Sequence, residues 1–262
     1  MKILVCIKQV PDTTEITIDP HTNTLNRAGV PSIVNPFDSY ALEMAVRLKE
    51  KNGGEITVIS MGPEHAKAAL KECLAVGADR AILVTDKAFG GSDTFATSYI
   101  LSRAIKKIGS YDIIFCGKQA IDGDTGQVGP EIAEHLDLAQ ITYVKHMEVS
   151  GRTVRVQREL ENGIEIIEAD MPLVVTVIKN PQNPRLPSLK SKLAANKAEV
   201  QIINNSDLQI ELSAVGLRGS PTHVKKIYTP IKKRAGVVID GEDAQEAAAL
   251  FIGWFNQKTL LR

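Results

Sequence analysis

The sequence has no excess of charge of either sign. Lys and Arg together number 31, as do Asp and Glu, so the formal net charge is zero. A neutral chain gives no reason to expect nucleic acid or an anionic membrane surface as a partner. The sequence also lacks any apolar run close to the roughly 18 residues that a transmembrane helix needs. We therefore expect neither a nucleic-acid partner nor membrane insertion.

Cysteine is scarce. Cys6, Cys73 and Cys116 are far apart, and each lies in an apolar segment. The chain has no CxxC pair and no His/Cys cluster, and its five histidines are scattered, so no metal site is predicted. An odd number of dispersed cysteines predicts reduced core thiols. The chain starts with a strand-like run too short for a signal peptide, and both observations favour the cytoplasm.

Strand-like and helix-like segments alternate through the first half of the chain. Short apolar runs typical of buried parallel strands occur at residues 2–7, 55–60, 81–85 and 111–116. Apolar residues recur at helical spacing between them, with Asp38 and either Ser92 or Asp93 as predicted N-caps. This alternation predicts a doubly wound, Rossmann-like α/β fold with a parallel sheet. Its ligand site should lie at the carboxyl ends of the strands.

A β-hairpin extension follows in the second half. Strand alternation occupies residues 141–149, 153–160 and 164–168, and Asn162-Gly163 is a strong hairpin signal. Residues 173–178 are apolar on both faces, which predicts a return to the buried sheet.

Two other segments depart from the alternation. A polar, hairpin-like stretch with turn signals at Asp19-Pro20 and Ala28-Gly29 follows the first strand. From residue 179 onward, the prolines at positions 181, 184 and 187 predict an exposed excursion without regular structure.

The tail forms the second part of the predicted domain organisation. Residues 1–224 are the predicted α/β domain, and residues 225–262 are a linker and arm. The linker at 225–234 is basic, which is typical of a solvated segment, and an amphipathic helix is predicted at 242–255. We expect this arm to pack on a partner chain, with folding back onto its own domain as the alternative.

A glycine-rich stretch, GKQAIDGDTGQVGP at residues 117–130, follows a predicted strand and leads into a helix. Gly123, Gly126 and Gly129 permit close backbone approach and positive φ, while the helix N-terminus offers unpaired N–H groups to an anion. The stretch matches neither GxGxxG nor the P-loop. A phosphate-binding turn and a plain connection therefore both remain open. Asp122 and Asp124 are suited to ribose hydroxyls or to capping the helix.

Several longer strings resemble a known family. They are ILVCIKQVPD at 3–12, NPFD followed by ALEMAVRLKE at 35–50, the glycine-rich string at 117–130, and VQRELENGIEIIEADMPLVVTV at 156–177. In this order they resemble the β subunits of electron transfer flavoproteins, and the match extends to about Lys192. The stretch from Pro172 to Thr176 departs from the family's Pro-Val-Val-Thr by one inserted Leu. Each string alone is a modest signal, but the combination is specific.

The resemblance implies a nucleotide site assembled from four places in the chain. These are Cys6 in the first strand, the loop of Asn35, Pro36, Phe37 and Asp38, Met61 after the second strand, and the long loop of Gly117, Lys118, Gln119, Ala120, Ile121, Asp122, Gly123, Asp124, Thr125, Gly126, Gln127 and Val128. All lie where the strand pattern places a ligand. Taken alone, Cys6 and Met61 would be core residues, and Asn35-Pro36 a turn.

The family has two branches that differ in the ligand of this site. One branch holds AMP as a structural ligand, and the electron-bifurcating branch holds FAD. This sequence resembles the bifurcating branch at Val10-Pro11-Asp12-Thr13, at Asp122-Gly123-Asp124-Thr125, and at residues 89–94 with Thr97. The Gly90-Gly91 turn and the hydroxyls of Ser92, Thr94 and Thr97 would give space and donors beside an isoalloxazine. A glycine turn with an ordinary N-cap is the alternative to this flavin interpretation.

The bifurcating branch also implies an electron route. NADH delivers hydride to the FAD of the β subunit, and one electron passes to ferredoxin or flavodoxin. The other passes through the FAD of the α subunit to a flavin-dependent dehydrogenase. Because the flavin carries the electrons, we predict no catalytic side chain. A hydrolase or nucleotidyl transferase of related architecture is disfavoured, since the sequence has no P-loop, metal cluster or Ser/His/Asp arrangement.

The proline-containing excursion has a role by resemblance. Residues 180–196 occupy the place of the family's recognition loop, which docks on the partner dehydrogenase. Leu186 and Leu189 are the predicted anchors, with Lys190 and Lys192 adding steering charge. The alternative is that these leucines cover the domain's own core.

Overall fold

The computed structural model describes residues 1–12, 31–225, 239, 241 and 243–257, and its contacts divide the chain into two units, Met1–Lys225 and Lys226–Arg262. The two ends of the predicted hairpin-like stretch meet, since the Asp12 amide donates to the Pro31 carbonyl (2.8 Å). The turn signals inside that stretch, the indicator residue Thr13 and most of the basic linker lie outside the described residues.

The first unit is built on a large, mainly parallel sheet. Its strands are β1 (Lys2–Cys6), β2 (Gln9–Pro11), β3 (Ser32–Val34), β4 (Glu55–Met61), β5 (Arg80–Val84), β6 (Ile113–Gly117), β7 (Ala139–Ser150), β8 (Thr153–Leu160), β9 (Gly163–Asp170), β10 (Leu173–Val177) and β11 (Gln201–Ile203). Nine of them form one sheet in the order β11-β5-β4-β1-β6-β10-β7-β8-β9, and β2 pairs with β3. The pairs from β11 to β7 are parallel, which confirms the predicted α/β class.

Helices cover both faces of this sheet. They are α1 (Pro36–Asn52), α2 (Lys67–Val76), α3 (Thr94–Ile108), α4 (Val128–Leu136), α5 (Leu189–Lys197) and the short α6 (Asn205–Leu208) and α7 (Gly216–Gly219). Ile3 and Val5 of β1 pack in one core cluster with α1 and α2, and Leu4 and Cys6 pack in another with α3 and α4. This division follows from the alternation of side chains along a strand. Among the helices of the described residues, none is long and apolar enough to cross a membrane.

The strand order reverses beside β1. From β1 the chain proceeds to β4 and β5 on one side, and it then crosses to β6 on the other side of β1. The carboxyl ends of β1 and β6 therefore flank the topological switch point, where open α/β sheets bind their ligands.

The antiparallel extension follows the predicted pattern. β7, β8 and β9 pair antiparallel, and Leu160 faces Gly163 across the predicted Asn162-Gly163 turn. β9 is the outer strand and exposes Ile164 and Ile166. β10 is buried along its whole length between β6 and β7, as its apolar pattern predicted.

The segment after β10 contains a helix that the proline spacing did not predict. Residues 179–188 have no regular structure, but α5 begins at Leu189, and the Ser188 hydroxyl accepts a hydrogen bond from the Ser191 amide (3.1 Å). Ala195 of α5 is buried, and the helix packs on α2. The predicted irregular excursion was wrong beyond residue 188. The last proline precedes the N-cap, and mainly Lys, Leu and Ala follow it, which are good helix formers.

The described part of the second unit contains α8 (Ala244–Gln257), within two residues of the predicted bounds. Asp243 accepts hydrogen bonds from the amides of Gln245 and Glu246 (both 2.9 Å), as an N-cap residue does. None of the helix residues is buried, and Phe251 and Ile252 are about half exposed. Packing of this arm on a partner chain stays a prediction.

Candidate nucleotide site at the carboxyl edge of the sheet

The side chain of Asp38 joins the ends of β1 and β6. Its carboxylate is buried in the first turn of α1 and accepts hydrogen bonds from the amides of Lys8 (2.7 Å) and Gly117 (3.1 Å). Lys8 lies just after β1, and Gly117 ends β6. The prediction that Asp38 caps α1 was wrong. The helix begins at Pro36, so Asn35 occupies the N-cap position, and the Asp38 carboxylate bonds to the two strand ends instead.

Asn35 fixes the start of the loop after β6. Its side-chain nitrogen donates to the Gln119 carbonyl (2.8 Å) and to Asp38 Oδ1 (2.9 Å), and its side-chain oxygen accepts from the Ile121 amide (3.2 Å). The side-chain amide is thus fully used, and Asn35 is only 1% exposed. Asn35 and Asp38 together hold three separate pieces of chain at one corner of the sheet.

Burial controls the protonation of the Asp38 carboxyl group. It raises the pKa of Asp38 from 3.8 to about 7, although hydrogen bonds from Asn35, Lys8 and Gly117 oppose the shift. The carboxyl group therefore titrates near neutral pH.

Two positions require glycine because other atoms lie so close to their backbone that a β-carbon would not fit. A β-carbon at Gly117 would lie 2.3 Å from Asp38 Oδ1, and one at Gly129 would lie 2.7 Å from a side chain of β10. Gly126 has a φ of +65°, which favours glycine. Gly123 does not have a positive φ, and no protein atom lies within 4 Å of a β-carbon placed there, so its close approach to a ligand stays a prediction.

The carboxylates of the loop bond within the protein. Asp122 forms an ion pair with Lys8 (2.6 Å), and Asp124 accepts a hydrogen bond from Gln119 Nε2 (2.6 Å). Neither caps α4, whose N-cap residue is Gln127 and has no side-chain capping bond. Helix amides without a side-chain cap can bind an anion, as the predicted phosphate-binding turn requires.

Phe37 and Lys118 lie beside the antiparallel extension. They line a cavity of about 540 Å³ with Tyr143, a residue that the sequence did not single out. The ammonium of Lys118 lies 5.3 Å from the centre of the Tyr143 ring. This cavity adjoins the corner, because Phe37 and Lys118 are the chain neighbours of Asp38 and Gly117.

Two thiols lie at the floor of the corner. Cys6 is the last residue of β1 and Cys116 the last but one of β6; both are buried and free, and Met61 packs partly buried against the same cluster. A hydrogen bond with Cys6, together with burial, raises the pKa of Cys116 well above its usual value, which keeps this thiol unreactive. The geometry supports core packing for Cys6 and Met61, and their contact with a ligand stays a prediction. In the described residues, no group of three or more His, Cys, Asp or Glu could hold a metal.

The Gly90-Gly91 turn packs inside the domain. Gly91 has a φ of +77°, and a β-carbon there would lie 2.7 Å from the side chain of Leu217. The Ser92 hydroxyl donates to the Phe89 carbonyl (2.8 Å) and accepts from the Gly216 amide (3.1 Å). The expected open space at this turn and the free donor of Ser92 are therefore corrected, because Leu217 fills the space and the Phe89 carbonyl accepts the Ser92 hydroxyl proton.

Thr94 at the start of α3 adjoins the long loop. Its hydroxyl lies 3.0 Å from Gln127 Oε1 and 3.2 Å from Glu131 Oε1. Glu131 Oε2 is buried and has no hydrogen-bond partner, which leaves one acceptor unused. Asp93, one of the two predicted N-caps of α3, accepts a hydrogen bond from the Ala96 amide (3.0 Å). Thr97 lies in the same helix and is half-buried. Sequence reasoning missed Glu131.

These features define a doubly wound α/β protein whose candidate site lies at its topological switch point. A sequence profile described as the electron transfer flavoprotein domain matches residues 22–208. The chain therefore belongs to the electron transfer flavoprotein family, among its β subunits, which confirms the resemblance.

Relatives of similar length support this assignment. The chain is 53% identical over 262 residues, covering 100% of both chains, to an electron transfer flavoprotein subunit beta of Thermoanaerobacterium thermosaccharolyticum. It is 43% identical over 262 residues, again with 100% coverage of both, to the caffeyl-CoA reductase-Etf complex subunit CarD of Acetobacterium woodii. Protein FixA of Azorhizobium caulinodans is also 43% identical, with 100% of this chain and 96% of FixA covered.

The titration of Asp38 predicts a pH-dependent stability. Its folded pKa of about 7 exceeds the value of 3.8 for an exposed carboxyl, so the folded state binds the proton more tightly. The wild type should have its full stability relative to the Asp38→Asn variant below about pH 4. Its free energy of unfolding relative to the variant should then fall by up to about 4 kcal/mol as pH rises through 7. Thermal unfolding of both αβ complexes across this pH range measures the difference. A stability difference between the wild type and the variant that does not change with pH would contradict the raised pKa of Asp38.

The close contact at Gly117 predicts a position-specific effect of a single methyl group. Gly117→Ala should destabilise the complex by about 2 kcal/mol and lower its nucleotide content, because the β-carbon displaces Asp38. Gly123→Ala in the same loop is the matched control and should change stability by less than about 0.5 kcal/mol. Thermal unfolding and nucleotide quantification test both variants, and equal effects would refute the steric argument.

Proposed function

We propose that the crevice holds FAD and that this β subunit takes part in flavin-based electron bifurcation together with an α subunit in the cytoplasm. NADH is the proposed electron donor. Ferredoxin or flavodoxin is the low-potential acceptor, and a flavin-dependent dehydrogenase receives the other electron. A non-bifurcating subunit with structural AMP in the same crevice is the alternative.

The observation that carries the proposal is the corner made by Asn35 and Asp38. It holds the loop of residues 117–127 at the switch point, while the first amides of α4 stay without a side-chain cap. Such amides suit the phosphates of a dinucleotide. The loop can follow the ligand because Gly117 lets the chain pass close to Asp38 and Gly126 adopts a positive φ.

Residues at the start of α3 and in α4 favour FAD over AMP. Thr94 hydrogen-bonds Gln127 and Glu131, so the start of α3 lies against the end of the long loop and the first turn of α4. The unused acceptor of Glu131 suits a ligand hydroxyl, and the ribityl chain of FAD carries hydroxyls beyond those of the ribose. These residues fit the cofactor, although Ser92 does not contribute the donor that the sequence suggested.

The protein's part in the reaction is binding and orientation. When bound, FAD would accept hydride from NADH and pass on single electrons. The loop amides would hold the phosphates of the cofactor, and Asn35 and Asp38 keep the loop against the sheet. Cys6 and Cys116 are buried beneath the corner, and the raised pKa of the Cys116 thiol keeps Cys116 unreactive.

Cofactor stoichiometry tests the proposal. The chain is co-purified with its α subunit, and FAD and AMP are quantified after denaturation. We expect two FAD and no AMP per αβ pair, and we expect Gly117→Ala to lose one FAD and keep the other. One FAD and one AMP would contradict bifurcation and support the structural alternative.

The proposed docking surface for the dehydrogenase consists of Leu186, Leu189 and Leu193. Leu186 is 92% exposed and Leu189 is 75% exposed, so neither covers the core of the first unit. Leu193 follows Leu189 by one helical turn in α5 and is 56% exposed, which the sequence did not single out. Lys190 and Lys192 surround these leucines with positive charge, which suits an acidic rim on the partner.

Truncation of the anchors should weaken docking alone. The double variant Leu186→Ala, Leu189→Ala should raise KM for the dehydrogenase about tenfold, because two exposed apolar anchors are lost, while kcat and flavin content stay unchanged. Leu212→Ala, at another exposed leucine, is the control and should leave KM unchanged. The dehydrogenase for this assay is chosen from a panel of purified dehydrogenases as the one that reacts fastest with the wild-type complex. The panel includes CoA-ester reductases, because CarD is named for such a complex. An unchanged KM in the double variant would contradict the docking surface.

A further inference from the structure

The irregular segment before α5 is fastened to α1 by one arginine. Arg185 donates from its backbone amide (3.1 Å) and from its Nε (2.9 Å) to Oε2 of Glu43. Its guanidinium also donates to Glu43 Oε1 (3.2 Å) and bonds both carboxylate oxygens of Glu50. A planar guanidinium bonded to two carboxylates fixes both the position and the orientation of the residue that carries it.

Glu43 is an unusual carboxylate. It lies in the middle of α1 and is 1% exposed, so its charge needs partners. Burial acts to raise its pKa, but hydrogen bonds from Arg185 and Arg47 outweigh this and lower it, so the group is ionised at neutral pH. Arg47 is one helical turn from Glu43 and donates to Oε1 (2.6 Å), but it belongs to α1 itself.

The segment that bears the leucines is anchored on both sides. Upstream, Arg185 is bonded to α1, and the next residue is the exposed Leu186. Downstream, α5 packs on α2 through the buried Ala195, and the Lys71 ammonium donates to the Asn196 carbonyl (2.7 Å). Leu186 and Leu189 lie between these two attachments, and they bury little of their own surface.

We propose that Arg185 is a positioning residue that pre-forms the docking surface by fastening its upstream end to Glu43 and Glu50. The inference rests on the proposed docking of a dehydrogenase at Leu186 and Leu189. A surface held in its bound geometry avoids the entropic cost of ordering a loop when the partner arrives. Arg185 therefore lowers KM for the dehydrogenase without touching it.

The test compares two arginines that bond the same carboxylate. Arg185→Gln removes the attachment of the segment, and Arg47→Gln removes a partner of Glu43 but leaves the segment attached. Arg185→Lys keeps the charge and loses the planar fork. Each αβ complex is assayed for KM and kcat with the dehydrogenase selected above and for flavin content. Cleavage by a protease specific for lysine measures exposure of the chain at Lys190 and Lys192.

We expect Arg185→Gln to raise KM about tenfold, to leave kcat and flavin content unchanged, and to accelerate cleavage at Lys190 or Lys192. The KM of Arg185→Lys should lie between those of Arg185→Gln and the wild type, and Arg47→Gln should stay within about twofold of the wild type. An unchanged KM in Arg185→Gln, while the double leucine variant raises KM, would overturn the positioning role and leave the docking surface intact. A raised KM with unchanged cleavage would mean that Arg185 meets the dehydrogenase itself, and it would also overturn the inference. An unchanged KM in the leucine variant would instead reject the docking surface on which the inference rests.

Discussion

The hydrogen bonds of the buried Asp38 carboxylate are the constraint on which the site depends. They tie the end of β1 to the end of β6 at the point where strand order reverses, and Asn35 extends the tie to the loop after β6. A charged group in this position is costly unless several donors surround it. Here the donors belong to the pieces of chain that must meet, so satisfying the carboxylate and shaping the crevice are the same event. The absence of a side chain at Gly117 makes this approach possible.

Helix α1 serves both surfaces of the molecule that the family assignment makes important. Its first turn carries Asp38 at the nucleotide crevice, and Glu43 and Glu50 further along hold the segment that bears Leu186. The two surfaces therefore share one rigid element that also packs on the central strands of the sheet. The second unit contributes a separate apolar helix whose residues remain unburied.

The sequence revealed local structure well and long-range pairing poorly. Apolar runs and turn signals predicted the strands of the large sheet except β11, including the hairpin extension, and the start of the loop at Gly117, because these depend on neighbouring residues. The bonds of Asp38, the packing of Leu217 against Gly91 and the attachment of Arg185 to Glu43 join positions far apart in the chain, and no spacing rule indicates them. One signal was present, since Glu43 is a carboxylate among buried apolar residues of α1. Such a residue needs a cation, and Arg185 is that partner.

The most direct test of the account is an experimental structure of the αβ complex with its native nucleotide. We expect FAD in the crevice between the Asn35–Asp38 corner and the loop of residues 117–127. Its phosphates should lie against the first amides of α4, and a hydroxyl should lie within hydrogen-bond distance of Glu131. AMP alone in the crevice would contradict the assignment of the cofactor. A nucleotide bound elsewhere on this chain would contradict the site itself.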